Sequence, residues 1–137
     1  PSGLPVLALG LVSGMFYTDR FDKIGLFLPR YLYGKGYRKS AYAPYISPEH
    51  QGIVTSLPPC LLITSGNDNL RKYTLDFEQA LFRYQMPHRL IDFPKDERLP
   101  HAFSVFYPEL EESAEVIRKL IHFFEHTKED CKGGYAK

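Results

Sequence analysis

A chain of 137 residues, 44% of them hydrophobic, can bury one modest core. Its 17 basic and 16 acidic side chains leave a net charge of +1, so it carries no electrostatic footprint for nucleic acid or an anionic membrane. No apolar run is long enough to span a bilayer, and no charged leader precedes an apolar signal-peptide core.

Cys60 lies in an apolar run and Cys131 in a polar tail, so a disulfide framework is not expected. A reducing, cytoplasmic setting is the expectation. The chain opens on Pro1 rather than Met, which predicts a piece of something longer.

Val6 to Ser13 (VLALGLVS) is a near-continuous apolar run and predicts a strand buried on both faces, as in parallel sheets. Residues 14–57 change character, becoming rich in Tyr, Gly and Pro, with a short helical patch over Lys23 to Tyr33. Cys60 to Ser65 (CLLITS) predicts a second buried strand, closed by Gly66. From Leu70 to Tyr84 the apolar residues recur at helical spacing, with Asp68 or Asn69 as candidate cap and Pro87 as stop. Arg89 to Phe93 predicts a third strand, followed by the charged loop Lys95 to Arg98 and by Pro100-His101-Ala102-Phe103. A last helix is expected from Pro108, with Glu109, Glu111 and Glu112 complementing its dipole and a frayed tail from Cys131.

Strands alternating with helices argue an α/β fold with a parallel sheet of about three strands and right-handed crossovers. Asp68 and His101, 33 positions apart, both follow predicted strand ends, where parallel sheets bind their ligands. A carboxylate and an imidazole on neighbouring loops of one sheet edge form the acid and base of a nucleophile-activating triad. The third member is missing. Gly10-Leu11-Val12-Ser13-Gly14 has the wrong spacing for a nucleophile elbow and ends a strand without starting a helix. The strand at Val6 is also too apolar for an exposed edge, so its other neighbour is expected from outside this chain.

Bland readings compete at several positions. Asp68 could serve only as a helix cap, and Asp96 is a rival acid expected to be a solvated carboxylate. His122-Phe123-Phe124-Glu125-His126 matches H-x-x-E-H, but a third ligand is not in sight and both histidines suit a helix C-terminus, so no metal is expected. His50 and His88 read as surface-loop and strand-start residues, and Lys35, Arg38 and Lys39 as a solvated face. Six tyrosines crowd residues 14–57; they either cover a small module or, with Phe16, Tyr17, Phe21, Leu26, Phe27 and Tyr31, wall a substrate pocket.

Leu57 to Arg71 (LPPCLLITSGNDNLR) resembles the acid-bearing segment of α/β-hydrolase esterases, in particular the hormone-sensitive-lipase-like group, whose pattern is a buried strand, Gly, then D-P-L-x-D. His101-Ala102-Phe103 is similar to that group's H-G-F segment, which a C-terminal helix follows. The resemblance covers nearly the whole chain in order and spacing. It implies that the chain is the C-terminal portion of one α/β-hydrolase domain, that Val6 to Ser13 is the sixth sheet strand, and that 14–57 is a helical cap insertion.

It further implies a carboxylic-ester hydrolase without cofactor, acting on a small-molecule ester, with Asp68 as triad acid and His101 as general base. The serine and the oxyanion hole would come from an N-terminal half of the same fold, and the isolated chain would be inactive. Three positions depart from the pattern: Asn69 replaces Pro, Lys72 replaces the second Asp, and Ala102 replaces Gly, which matters if that residue needs positive φ. A second reading is a non-catalytic ligand-binding protein on this fold, since the same group includes a plant hormone receptor. A third, a free-standing small α/β protein, is disfavoured by the unpaired apolar strand, while a homodimer stays open.

Overall fold

The computed structural model describes residues 5–20 and 28–133, with side chains through Thr127. Three parallel strands form one sheet in the order β1 (Leu9–Val12), β2 (Cys60–Ser65), β3 (His88–Phe93). Leu9 aligns with Cys60, and Cys60 in turn with His88.

The central strand shows why its sequence is apolar without alternation. Cys60 and Leu62 face a cluster built on helix α3 (Arg71–Arg83) through Tyr73, Phe77, Ala80 and Leu81. Leu61 and Ile63 face the opposite cluster, built on α5 (Glu111–Gly133) and the short α4 (Phe103–Phe106) through Val116, Phe123 and Phe103. A strand covered on both faces needs apolar side chains on both, and each full burial of a Leu or Ile contributes about 2 kcal/mol. Cys60 shares this fate: burial pushes its thiol up to about 11, and its Sγ lies 3.1 Å from the Pro58 carbonyl. It is a packing residue.

The outer strands are shorter than, or shifted from, what hydrophobicity predicts. Only Leu9–Val12 of the Val6 to Ser13 run is strand, and it is partly exposed rather than buried on both faces. The reason is pairing: β1 bonds β2 alone among the described residues, and Val6 is 65% exposed. β3 begins at His88, one residue before the expected Arg89, because Cys60 N–H bonds the Pro87 carbonyl and starts the ladder there.

α3 is one residue shorter at each end than Leu70 to Tyr84. It closes on Gln85, at φ 55, with Met86 N–H reaching the Leu81 carbonyl, a left-handed helix stop made without glycine. α5 starts at Glu111 rather than Pro108, because Tyr107 to Leu110 forms a turn, with Leu110 N–H on the Tyr107 carbonyl. It continues as helix through Gly133, so Cys131 is not in a frayed tail.

Between β1 and β2 the described chain forms only short helical pieces: α1 (Leu28–Tyr33), 3-10 turns at Tyr37–Lys39 and Ala43–Ile46, and α2 (Gln51–Val54). Among the described residues no helix is long and apolar enough to cross a membrane.

Candidate active site

Three strand exits converge on one sheet edge, and each carries a polar residue that the neighbouring exits hold. At β1, Ser13 N–H continues the ladder to the Ile63 carbonyl at 2.9 Å, after which φ 49 turns the chain away. At β2, Gly66 N–H bonds the Phe93 carbonyl at 2.9 Å. A Cβ at Gly66 would stand 2.7 Å from the Lys95 backbone, so glycine is what lets the acid loop and the histidine loop run against each other. Ser65 Oγ donates to the Leu99 carbonyl at 2.5 Å, and Phe103 sits edge-on to Phe93 with ring centres 5.4 Å apart. The loop that ends in His101 is thereby pinned to β2 and β3.

Asp68 and His101 meet at this edge. Nδ1 of His101 lies 2.9 Å from Asp68 Oδ1. The carboxylate only accepts, so Nδ1 carries the proton and Nε2 is left as the basic nitrogen. The Asp68 side chain is fully buried, whereas 40% of the His101 side chain is exposed. Among the described residues Nε2 has no hydrogen-bond partner.

Burial alone would raise the Asp68 pKa. Hydrogen bonds from the Ser13 hydroxyl, the Leu70 N–H (2.8 Å to Oδ1) and His101 outweigh it, with the His101 charge adding to them, and hold the carboxyl below its ordinary value. Thr64 Oγ1 donates to Oδ2 at 3.1 Å. Asp68 therefore bonds two groups at once, the Leu70 N–H at the turn into α3 and the His101 imidazole.

The departures from the esterase pattern acquire physical content. Ala102 has φ 52, so this position does require the left-handed backbone that glycine adopts freely. Lys72 turns outward to Asp76 at 2.8 Å, in an i to i+4 pair on the exposed face of α3. Asn69 makes no side-chain cap; the Asp68 carboxylate takes that place.

The remaining candidates lie elsewhere. Phe16 stacks on Phe77 with ring centres 4.4 Å apart, and Tyr17 packs edge-on against Tyr73 at 5.4 Å, both within the α3-side core. The Tyr17 hydroxyl donates to Glu49 at 2.7 Å, and Arg20 lies over its ring while pairing with Asp76. Tyr31 is 87% exposed. Phe21, Leu26 and Phe27 are outside the described residues. Asp96 is not merely solvated: it is bound by Arg98, whose guanidinium also reaches Glu112 at 2.9 Å. His122 and His126 lie with tilted rings, centres 4.0 Å apart, near the opposite end of the sheet, with His126 Nδ1 3.1 Å from the His122 carbonyl.

The sequence offers Ser13 only as a poor nucleophile candidate and gives Thr64 no role. The available signal was position: each is a polar residue at the close of an apolar run, on the edge that carries Asp68.

The arrangement is the C-terminal part of an α/β-hydrolase fold: an open parallel sheet flanked by helices, with acid and histidine at its carboxyl edge. No family model and no curated protein matches the chain by sequence. Solved structures do match by shape. Esterase B from Lactobacillus rhamnosis superposes with a TM-score of 0.80 at 17% identity, over 96% of this chain and 44% of that one. An esterase from the bacterial hormone-sensitive lipase family gives 0.69 at 19% identity, over 91% and 45%. The esterase LipW from Mycobacterium marinum gives 0.69 at 22%, over 90% and 41%. The chain thus spans less than half the length of the solved structures that it matches.

Proposed function

We propose that this chain is the acid-and-base portion of a carboxylic-ester hydrolase that works by acyl transfer. The observation carrying the proposal is the 2.9 Å bond between His101 Nδ1 and the buried Asp68 carboxylate, with Nε2 unpartnered among the described residues. The esterase neighbours support the reaction class.

In this reading a serine outside the 137 residues attacks the ester carbonyl and its proton passes to His101 Nε2. Asp68 stabilises the imidazolium that forms. The tetrahedral intermediate breaks its bond to the alcohol oxygen, which takes the proton from Nε2 and leaves. Water then attacks the acyl-serine, giving its proton to Nε2; that proton returns to the serine as the acid departs. Backbone N–H donors from the same outside segment hold the oxyanion. Residues 14–57 form part of a cap over the substrate.

The serines at the strand exits are poor substitutes for the nucleophile: Ser13 and Ser65 are buried, and their hydroxyls bond Ala102 N–H and the Leu99 carbonyl. The test compares hydrolysis of a short-chain nitrophenyl ester by the 137-residue chain and by the complete protein. Turnover only in the complete protein is expected. Equal turnover by the short chain would place the nucleophile within it and overturn the division of labour.

A further inference from the structure

We propose that Ser13 is a positioning residue that ties the histidine loop to the end of β1, its Oγ accepting the Ala102 N–H. This rests on the reading of Asp68 and His101 as a working pair and extends it to a third strand.

The geometry is specific. Ala102 N–H meets Ser13 Oγ at 3.0 Å across 89 positions of sequence, and Ala102 is the residue directly after His101. The Ser13 hydroxyl oxygen is the acceptor, so the bond fixes the backbone immediately after the imidazole to the exit of β1. One side chain thus holds the backbone next to His101 from outside its loop. Thr64 does not do this: it bonds Asp68 alone, from the strand that already leads into the acid loop.

Backbone strain points the same way. Among the described residues only Ser13, Gln85 and Ala102 are non-glycines with positive φ, and two of these three bond each other at the site. Gln85 has an ordinary explanation as a helix stop. Ser13 and Ala102 hold a costly conformation where a hydroxyl must reach one way and an N–H the other, and strain of this kind persists only where the surroundings enforce it. Ser13 is itself 6% exposed and its N–H is fixed to Ile63, so the hydroxyl has little freedom to reorient.

The variant that separates hydroxyl from backbone is Ser13→Gly. Glycine accepts φ 49 without strain, so the turn is kept while the side-chain hydrogen bond to Ala102 goes. In the complete protein we expect kcat for a short-chain ester to fall about tenfold, the value of roughly one hydrogen bond, with KM unchanged. The low-field Nδ1 proton of His101, visible by NMR in the parent at low temperature, should broaden or vanish. Ser13→Ala, which keeps a Cβ, should do the same if glycine loosens the turn. Parent-like kcat together with an unchanged Nδ1 proton in both variants would overturn the assignment.

His101→Ala run alongside separates the two failures. An inactive His101→Ala with a fully active Ser13→Gly refutes only the role of Ser13. A fully active His101→Ala refutes the esterase reading, and the Nδ1 proton then still decides whether Ser13 holds the ring.

Discussion

The two ends of the sheet both hold histidines, and they hold them differently. At the amino end, Pro59, Pro87, His88, Arg89, His122 and His126 line an open pocket. His88 spends Nδ1 on the Met86 carbonyl at 2.7 Å and faces Glu78, a carboxylate 20% exposed, with Nε2 at 3.3 Å. His122 and His126 lean on each other and on their own helix. At the carboxyl end, His101 has one nitrogen fixed by a fully buried carboxylate and the other free of partners among the described residues. The difference between the ends is a desolvated carboxylate with several donors, present beside His101 and, among the described residues, not beside the other three imidazoles.

That contrast can be broken most severely at Asp68. Asp68→Ala leaves the Leu70 N–H, the Thr64 hydroxyl and His101 Nδ1 without their acceptor, and should cost about 3 kcal/mol in urea unfolding. The pH dependence follows from the direction of the Asp68 shift. Its folded pKa lies below the unfolded value of 3.8, so its contribution is complete above that value and is lost as pH falls through the lower folded one. The alanine variant should therefore show a flatter loss of stability on the acid side of pH 4. Glu78→Ala, at the other end, should leave that limb alone. An acid limb identical in Asp68→Ala and the parent would contradict the buried, bonded carboxylate.

Gly66→Ala sharpens the comparison from the backbone. Its Cβ would press on Lys95 at 2.7 Å and pry the acid loop from the histidine loop, at a cost of about 2 kcal/mol and with reduced ester turnover. Thermal unfolding paired with an activity assay reads both effects.

The smallest effect has the opposite sign. Ala102→Gly relieves φ 52 and should stabilise the protein by about 1 kcal/mol, seen as a raised Tm. Gly34, already glycine at φ 77 with open space around it, should lose stability when changed to Ala, although its Cβ would touch nothing.

Much of this was legible before any coordinates. β2 runs over the predicted Cys60 to Ser65 because a strand buried on both faces announces itself by composition. Asp68 and His101 fall together because strand exits in a parallel sheet share an edge. β1 was overread, since apolar residues at Val6 and Leu7 record what a strand could bury, whereas the ladder depends on partners in β2. The start of α5 was misplaced because Pro108 suits a first helical turn and an isolated turn equally well. The role of Ser13 was hidden for a different reason. It depends on a left-handed serine and on a bond spanning 89 positions, and neither leaves a local pattern.

The central claim is that the carboxyl-edge histidine does chemistry and the amino-edge histidines do not. The direct measurement is kcat/KM for a short-chain ester in the complete protein carrying His101→Ala or His88→Ala. The account predicts a loss on the order of 1,000-fold or more for His101→Ala and a value within about twofold of the parent for His88→Ala. Equal activity in the two variants, or a larger loss at His88, would contradict it.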